Sequence, residues 1–315
     1  MKRALIVGSE GQDGKILFDR LAADGWAVIG IGRESVRGTE RTEIRNVDVT
    51  SKQQVAVLLA RWEPDEIYYL PAVHQASQDP LATDDAALLA RSLDVHVAGL
   101  VHFLNEIAER RIDASLFYAA SSLVFGNVSG DAQDEQTPLR PRCIYGITKA
   151  AGVHLCRFYR ETHRVRASVG FLYNHESSLR RPTFVSQKIV RAAAAIARDS
   201  NQQLVLGDLS ARIDWGYAPD FIDAIIRIVR RPDADDYIVA TGETHSVQEF
   251  VEIAFSRLGL DWRKHVVEDR SLLTRPSVVR VGDATRLRER TGWRPTVTFA
   301  EMIEILLDSA QRNVA

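Results

Sequence analysis

Tyr145 and Lys149, in Tyr145-Gly146-Ile147-Thr148-Lys149, stand four apart and leave the same face of a predicted helix, Tyr145–His163. A cationic lysine near a phenol favours the phenolate and brings the tyrosine toward the range where it can take or give a proton. That is the acid/base chemistry of a carbinol–ketone interconversion, although the same spacing also makes an ordinary helix-surface contact. Upstream, the apolar run Leu116–Ala120 ends in Ser121-Ser122-Leu123-Val124-Phe125-Gly126. Its hydroxyls fall at the C-terminal edge of a predicted strand, where parallel sheets bind ligands.

A second string with chemical content is Gly8-Ser9-Glu10-Gly11-Gln12-Asp13-Gly14, which follows the apolar run Ala4–Val7 and opens a helix. Glycines at this spacing allow a tight turn, close backbone approach to a pyrophosphate and close helix–strand packing, while the helix N-terminus offers N–H groups to the anion. Gly8, Gly11, Gln12, Asp13 and Gly14 are therefore read as dinucleotide contacts. At the end of the second strand a carboxylate would read the ribose 2′-OH of NAD, and an arginine would accommodate the 2′-phosphate of NADP. Gly32-Arg33-Glu34-Ser35 favours NADP through Arg33 and leaves NAD open through Glu34; a solvated Arg33 is the plain alternative. Asp48-Val49, after a short third strand, suits the adenine amino group, and Asp48 equally suits a cap on the helix beginning near Ser51.

These groups need a scaffold, and the order of elements supplies one. Ala4–Val7, Ala27–Ile31, Glu66–Leu70, Leu116–Ala120 and Ala167–Phe171 read as buried strands. Helical patterns at Gln12–Asp24, Ser51–Trp62, Asp84–Arg110 and Tyr145–His163 alternate with them, and Asp84–Arg110 is long enough to include a loop turn. This alternation predicts an α/β fold, a Rossmann-like doubly wound parallel sheet covered by helices. After about residue 172 the pattern loosens: Asn174–Pro182 is loop-like, Phe184–Asp199, Asp220–Arg230 and Val247–Gly259 are helical, and Leu204–Leu206 and Tyr237–Ala240 are strand-like. The predicted division is a dinucleotide-binding domain over 1–172, to which later segments can return, and a smaller C-terminal α+β lobe over 173–315.

Composition narrows the setting. With 45% hydrophobic and 26% charged residues, and 40 basic against 42 acidic side chains, the 315-residue chain has neither the charge excess of a disordered segment nor a basic surface for nucleic acid or a membrane. The small-apolar stretch Ala192–Ala197 is cut by Arg191 and Arg198, and the N-terminus runs straight into a strand without a signal-peptide pattern. Two cysteines, Cys143 and Cys156, are too few for a disulfide framework, and the histidines lack metal-ligand spacing. A soluble cytoplasmic protein without a catalytic metal is expected.

Taken together, these strings resemble the extended short-chain dehydrogenase/reductase family acting on nucleotide sugars, and its GDP-mannose 4,6-dehydratase branch most closely. Gly11-Gln12-Asp13-Gly14, Asn174-His175-Glu176-Ser177, Phe184-Val185, Asp214-Trp215-Gly216, Ala240-Thr241-Gly242-Glu243-Thr244-His245-Ser246-Val247, Gly282-Asp283-Ala284-Thr285 and Thr291-Gly292-Trp293-Arg294-Pro295 all resemble that branch's signatures. The resemblance implies an NAD(P)-dependent enzyme with Ser121, Tyr145 and Lys149 as its catalytic triad and a nucleotide-diphosphate sugar, GDP-linked, as substrate. It places Asn174, Val185, Lys188 and Arg275 at the substrate nucleotide, with Ser122 and His74 on the substrate side. Lys188 and Arg275 are credible partners for a diphosphate or a ribose on chemical grounds, since cations hold such groups by charge-assisted bonds. It further implies a homodimer formed by the Tyr-x-x-x-Lys helix and the long helix before it. A tetramer would use an Arg-rich loop that here reads Arg33-Glu34-Ser35-Val36-Arg37.

The chain also departs from the branch. A 4,6-dehydratase needs a further acid/base for elimination across C5 and C6, supplied in the branch by a glutamate two residues after the Ser/Thr; here that position is Leu123. Arg212-Ile213-Asp214-Trp215 lacks the branch's arginine before Asp-Trp unless Arg212 reaches the phosphate, and the Glu after Arg275-Pro276 is replaced within Ser277-Val278-Val279. Cys143-Ile144 stands for Ser-Pro before the tyrosine. These changes favour hydride transfer at C4, as a 4-keto reductase or C4 dehydrogenase, over full dehydration. The dehydratase proper and a catalytically idle cofactor-binding regulatory protein are the competing expectations.

Overall fold

The computed structural model describes residues 1–33, 35–40, 44, 47–73, 84–128, 132–273 and 278–314. The first strands are β1 (Arg3–Val7), β2 (Ala27–Ile31), β3 (Val36–Gly38), β4 (Glu66–Tyr69), β5 (Ser115–Ser121) and β6 (Arg166–Leu172). Beyond them come β7 (Asn174–Glu176), β8 (Leu204–Leu206), β9 (Arg212–Tyr217), β10 (Asp236–Val239), β11 (Thr244–Ser246) and β12 (Val266–Glu268). A seven-stranded sheet runs in the order β10-β6-β5-β4-β1-β2-β3. Every pairing in it is parallel except β2 with β3, where Ile31 lies opposite Val36 in an antiparallel edge. The short third strand is thus a hairpin return. The turn that makes it is closed by the Gly32 N–H on the Ser35 carbonyl at 2.8 Å.

The helices are α1 (Gln12–Ala23), α2 (Lys52–Trp62), α3 (Asp85–Leu93), α4 (Gly99–Arg110), α5 (Ile144–His163), α6 (Val185–Ile196), α7 (Ala218–Val229), α8 (Val247–Ser256), α9 (Thr285–Thr291) and α10 (Phe299–Val314). Where a loop turn was expected within Asp84–Arg110, the chain stays helical: α3 passes through a π-helical turn, Asp94–Ala98, into α4. The Tyr69 hydroxyl donates to the Val95 carbonyl inside that turn, and Gly99 lets the helix approach, since a Cβ there would lie 2.4 Å from the same hydroxyl. By length and composition Asp85–Arg110 would suffice to cross a membrane, but Leu100, Phe103, Leu104 and Ile107 are buried in the core beside the sheet.

The chain past Leu172 builds two cores. Phe221, Ile222 and Ile225 of α7, Ile238 of β10 and Leu287 of α9 join the cluster around the large sheet. A second cluster gathers Ile189 and Val190 of α6, Trp215 of β9, Phe250 of α8 and Leu306 of α10. The segment expected as a loop over Asn174–Pro182 begins with β7, which pairs in parallel with β9; its polar residues Asn174-His175-Glu176 give no apolar run to mark a strand in sequence. Asp214, buried on β9, ties the two bodies together. Its carboxylate accepts from the Thr241 N–H (3.0 Å), the Thr241 hydroxyl (2.6 Å), the Gly242 N–H (3.1 Å) and the Gly282 N–H (3.2 Å).

Candidate active site

The turn between β1 and α1 is as tight as its glycines suggest. The Gly8 and Ser9 N–H groups both donate to the Ile31 carbonyl, at 2.8 and 3.0 Å, which seats the turn on the end of β2. A Cβ on Gly14 would lie 2.4 Å from the Gly8 carbonyl oxygen and 2.5 Å from the Ser9 Cα. The N-cap of α1 is Gly11, which offers no side chain to the first-turn N–H groups. A cradle that side chains would fill, with helix donors left for an anion, fits the diphosphate of a dinucleotide.

Gln12 and Asp13 turn toward β7. The Gln12 amide donates to the His175 carbonyl at 3.1 Å and accepts from the Ser177 hydroxyl at 2.8 Å. His175 places Nδ1 against the Tyr173 carbonyl at 2.7 Å and Nε2 against both Asp13 oxygens at 3.0 Å. With an acceptor at each nitrogen, both must donate, and the ring is an imidazolium. Burial alone would disfavour that charge, but the Asp13 charge and hydrogen bond more than offset it and raise the His175 pKa. Burial likewise pushes Asp13 up, and His175 overcomes it to hold the carboxyl at about 2.

At the C-terminal end of the sheet, Ser121 closes β5 and its hydroxyl hydrogen-bonds Tyr145. The α5 helix that carries Tyr145 and Lys149 starts at N-cap Cys143, whose Sγ accepts from the Gly146 N–H at 3.4 Å. Lys149 is buried, with Nζ donating to the Ala119 carbonyl at 2.7 Å and the Pro71 carbonyl at 2.9 Å and standing 5.8 Å from the Tyr145 ring centre. Desolvation brings the Lys149 pKa down to about 7, against the pull of Asp13. Burial also pushes the Tyr145 phenol up; the Arg180 charge is the largest influence against it, followed among the lowering effects by the Ser121 hydrogen bond.

Two residues absent from the sequence expectations thus enter the site. Arg180 reaches it because Glu176, buried on β7, holds the guanidinium at 3.4 Å while the Phe184 ring stacks on it at 3.7 Å. His96 sits on the π-helical turn with its ring edge-on to Tyr145, centroids 5.5 Å apart. The Val73 N–H donates to His96 Nε2 at 2.9 Å, so Nδ1 carries the hydrogen given to the Thr148 hydroxyl at 2.8 Å. His96 therefore links the segment after β4 to the helix of Tyr145. A one-residue shift in helix register put it there, which sequence periodicity does not reveal.

The remaining expected residues fall as follows. Arg33 is exposed at the end of β2. Asp48 accepts from the Thr50 N–H and hydroxyl, at 2.9 and 2.7 Å, and so shapes the turn before α2, while Ser51 is the N-cap. Val49 packs partly buried on the core. Ser122 is buried in the 3₁₀ turn after β5, with Leu123 beside it. Asn174 lies on β7, and Val185 and Lys188 on the first turn of α6. That turn is fastened to β7 by the Ser186 hydroxyl on Glu176 (2.6 Å) and the Gln187 amide on the Ser177 carbonyl (3.1 Å). Glu176 thus holds the loop. Arg212 is drawn away along β9, bonded to Thr244 and paired with Glu249 at 3.5 Å. His74 and Arg275 lie outside the described residues. Among the described residues no group of three His, Cys, Asp or Glu gathers to hold a metal ion.

Comparison with known proteins gives the family and the fold. The family model for GDP-mannose 4,6 dehydratase matches residues 5–306. GDP-mannose 4,6 dehydratase 1 of Arabidopsis thaliana is 33% identical over 328 residues, covering 98% of this chain and 89% of the relative. Among solved structures, RMD from Pseudomonas aeruginosa complexed with NADPH superposes with a TM-score of 0.81 at 22% identity, over 99% of this chain and 100% of that one. The dTDP-glucose 4,6-dehydratase of Bacillus anthracis in complex with NAD gives 0.81 at 16% identity, over 99% and 97%. With its glycine turn, its Ser–Tyr–Lys cluster and a family match across nearly its whole length, the chain belongs to the GDP-mannose 4,6-dehydratase family of extended short-chain dehydrogenase/reductases.

Proposed function

We propose that this protein is an NAD(P)-dependent nucleotide-sugar enzyme that transfers hydride at C4 of a GDP-hexose or GDP-heptose, as a 4-keto reductase or C4 dehydrogenase. The nicotinamide, when bound, supplies or accepts the hydride. In reduction Tyr145 gives its phenolic proton to the C4 oxygen as hydride reaches the carbon, and in oxidation it takes that proton back. Ser121 hydrogen-bonds the same oxygen and fixes its distance from the phenol. Arg180 supplies positive charge that favours the phenolate left after transfer, and Lys149, with Nζ 5.8 Å from the Tyr145 ring centre, adds to it when protonated. Asn174, Val185 and Lys188, on β7 and the start of α6, are the proposed nucleotide contacts, and Lys188 is suited to a phosphate oxygen.

The reading over dehydration rests on Leu123, which cannot carry the proton that elimination across C5 and C6 requires. Among the described residues, the carboxylates of Asp13 and Glu176 near the site are engaged by His175 and by Ser186 with Arg180. The dehydratase proper is the second reading, favoured by the whole-length similarity to enzymes of that name. Purified protein given GDP-mannose, and separately a GDP-4-keto-6-deoxyhexose with NADH or NADPH, decides between them. We expect reduction in the second case and no 6-deoxy product in the first; a 4-keto-6-deoxy product from GDP-mannose alone would refute the proposed hydride transfer without dehydration. An idle regulatory protein would bind dinucleotide yet turn over no nucleotide sugar.

We further propose a homodimer through α3–α4 and α5, supported by Leu89, Leu93, Ile147 and Phe158, all exposed on these helices. Cytoplasmic placement is supported by the two free thiols, Cys143 and Cys156.

A further inference from the structure

We infer that Glu10, inside the glycine-rich turn, selects NAD over NADP by presenting its carboxylate where the adenosine 2′-substituent must lie. The inference rests on the reading that this turn holds a dinucleotide. In such folds the group at the C-terminal end of the second strand chooses the cofactor: an acid accepts from the 2′-OH, and a cation receives the 2′-phosphate. In this chain the acid arrives from the neighbouring strand. Val7 of β1 is in register with Ile31 of β2, and the turn after Val7 is bonded to the Ile31 carbonyl. Glu10 is thereby carried across to the end of β2, where its carboxylate accepts from the Arg33 N–H at 3.2 Å and from the Ser35 hydroxyl at 2.8 Å.

The fit is close. Gly32 leaves the space that the carboxylate occupies: a Cβ there would lie 2.1 Å from Glu10 Cδ and 2.2 Å from Oε1. The backbone N–H and the hydroxyl at this edge are the donors that a 2′-phosphate would need, and they already hold an anion. A phosphate monoester bears −1.5 to −2 charges near pH 7, so bringing it here sets like charges together. A ribose hydroxyl instead donates to the carboxylate through a charge-assisted bond. The exposed Arg33 guanidinium, which favours NADP in the sequence, must then act against a carboxylate fixed on its own backbone.

The test is titration of the whole purified chain with NADH and with NADPH, following nicotinamide fluorescence, which reads binding without turnover. The wild type should bind NADH at least tenfold more tightly than NADPH, a difference of about 1.4 kcal/mol. E10Q keeps the shape and removes the charge, and E10T removes both; each should bring the two affinities within about threefold, chiefly by strengthening NADPH. Equal or tighter binding of NADPH by the wild type overturns the role of Glu10. So does an unchanged ratio in a variant whose circular dichroism matches the wild type. The wild-type ratio alone decides if both variants fail to fold, and binding of neither dinucleotide would overturn the cofactor reading itself.

Discussion

Replacing Asp13 by asparagine should uncouple the cofactor turn from β7 in a way that depends on pH. The Asp13 carboxyl is held at about 2 against a reference of 3.8, chiefly by His175 working against burial. That difference corresponds to about 2.4 kcal/mol, which we reduce to about 2 because the side chain is 21% exposed. The folded value lies below the unfolded one, so this contribution is present above about pH 4 and is lost as pH falls toward 2. His175 behaves oppositely: its folded value is raised above 6.5, so its contribution is complete below 6.5 and is lost as pH rises through the folded value. The pair therefore contributes fully between about pH 4 and 6.5. For a chain of 315 residues, about 2 kcal/mol is about 3 °C in Tm. Thermal unfolding of Asp13→Asn and the wild type, followed from pH 6 upward, should show a deficit of about 3 °C at pH 6 that shrinks as the pH rises through the folded value of His175, above which the ring gives the carboxylate less. Equal Tm of the two proteins at pH 6 would show that the buried ion pair is not what joins these elements.

The remaining expectations can be checked together. Tyr145→Phe should lower kcat by 10²–10⁴-fold in the 4-keto reduction assay while leaving dinucleotide affinity within a few fold, because only the transferred proton is removed. Gly14→Ala forces a Cβ to within 2.5 Å of the Ser9 backbone, and fluorescence titration should show dinucleotide binding lost. Asp214→Asn turns one carboxylate oxygen into an N–H donor facing two of the four donors it now accepts from, and should lower stability by about 2–4 kcal/mol, measured by urea unfolding. Phe158→Asp, on an exposed position of α5, should convert a dimer to a monomer in sedimentation; an unchanged sedimentation coefficient would refute the proposed interface.

Long elements were legible because each carries its own repeated signal. The buried runs of β1, β2, β5 and β6 and the helical spacing of α1, α2 and α5 stand in sequence much as they do in the structure. The strands β7 and β11 were not legible, since Asn174-His175-Glu176 and Thr244-His245-Ser246 lack the apolar residues that mark Leu204–Leu206, and their pairing partners lie on β9, far along the chain. The π-helical turn was hidden for a related reason. It replaces an expected loop because Tyr69 satisfies the Val95 carbonyl, a contact between distant segments.

The site divides along the same line. Sequence by itself determined the groups that are local: the glycines of the cofactor turn, the Tyr145–Lys149 pair on one helix and the hydroxyl of Ser121 at a strand end, together with the replacement at Leu123. Helix geometry and strand polarity fix such relations within a few residues. Only the tertiary structure decided which charges surround them. Arg180 reaches Tyr145 through Glu176, His96 reaches it from a widened helical turn, His175 becomes a cation because Asp13 and Tyr173 both face it, and Glu10 meets Arg33 and Ser35 because β1 and β2 are in register. Charge and hydrogen bonding act through space over a few ångströms, so the protonation of a group and the ligand it accepts follow from neighbours that chain order does not name.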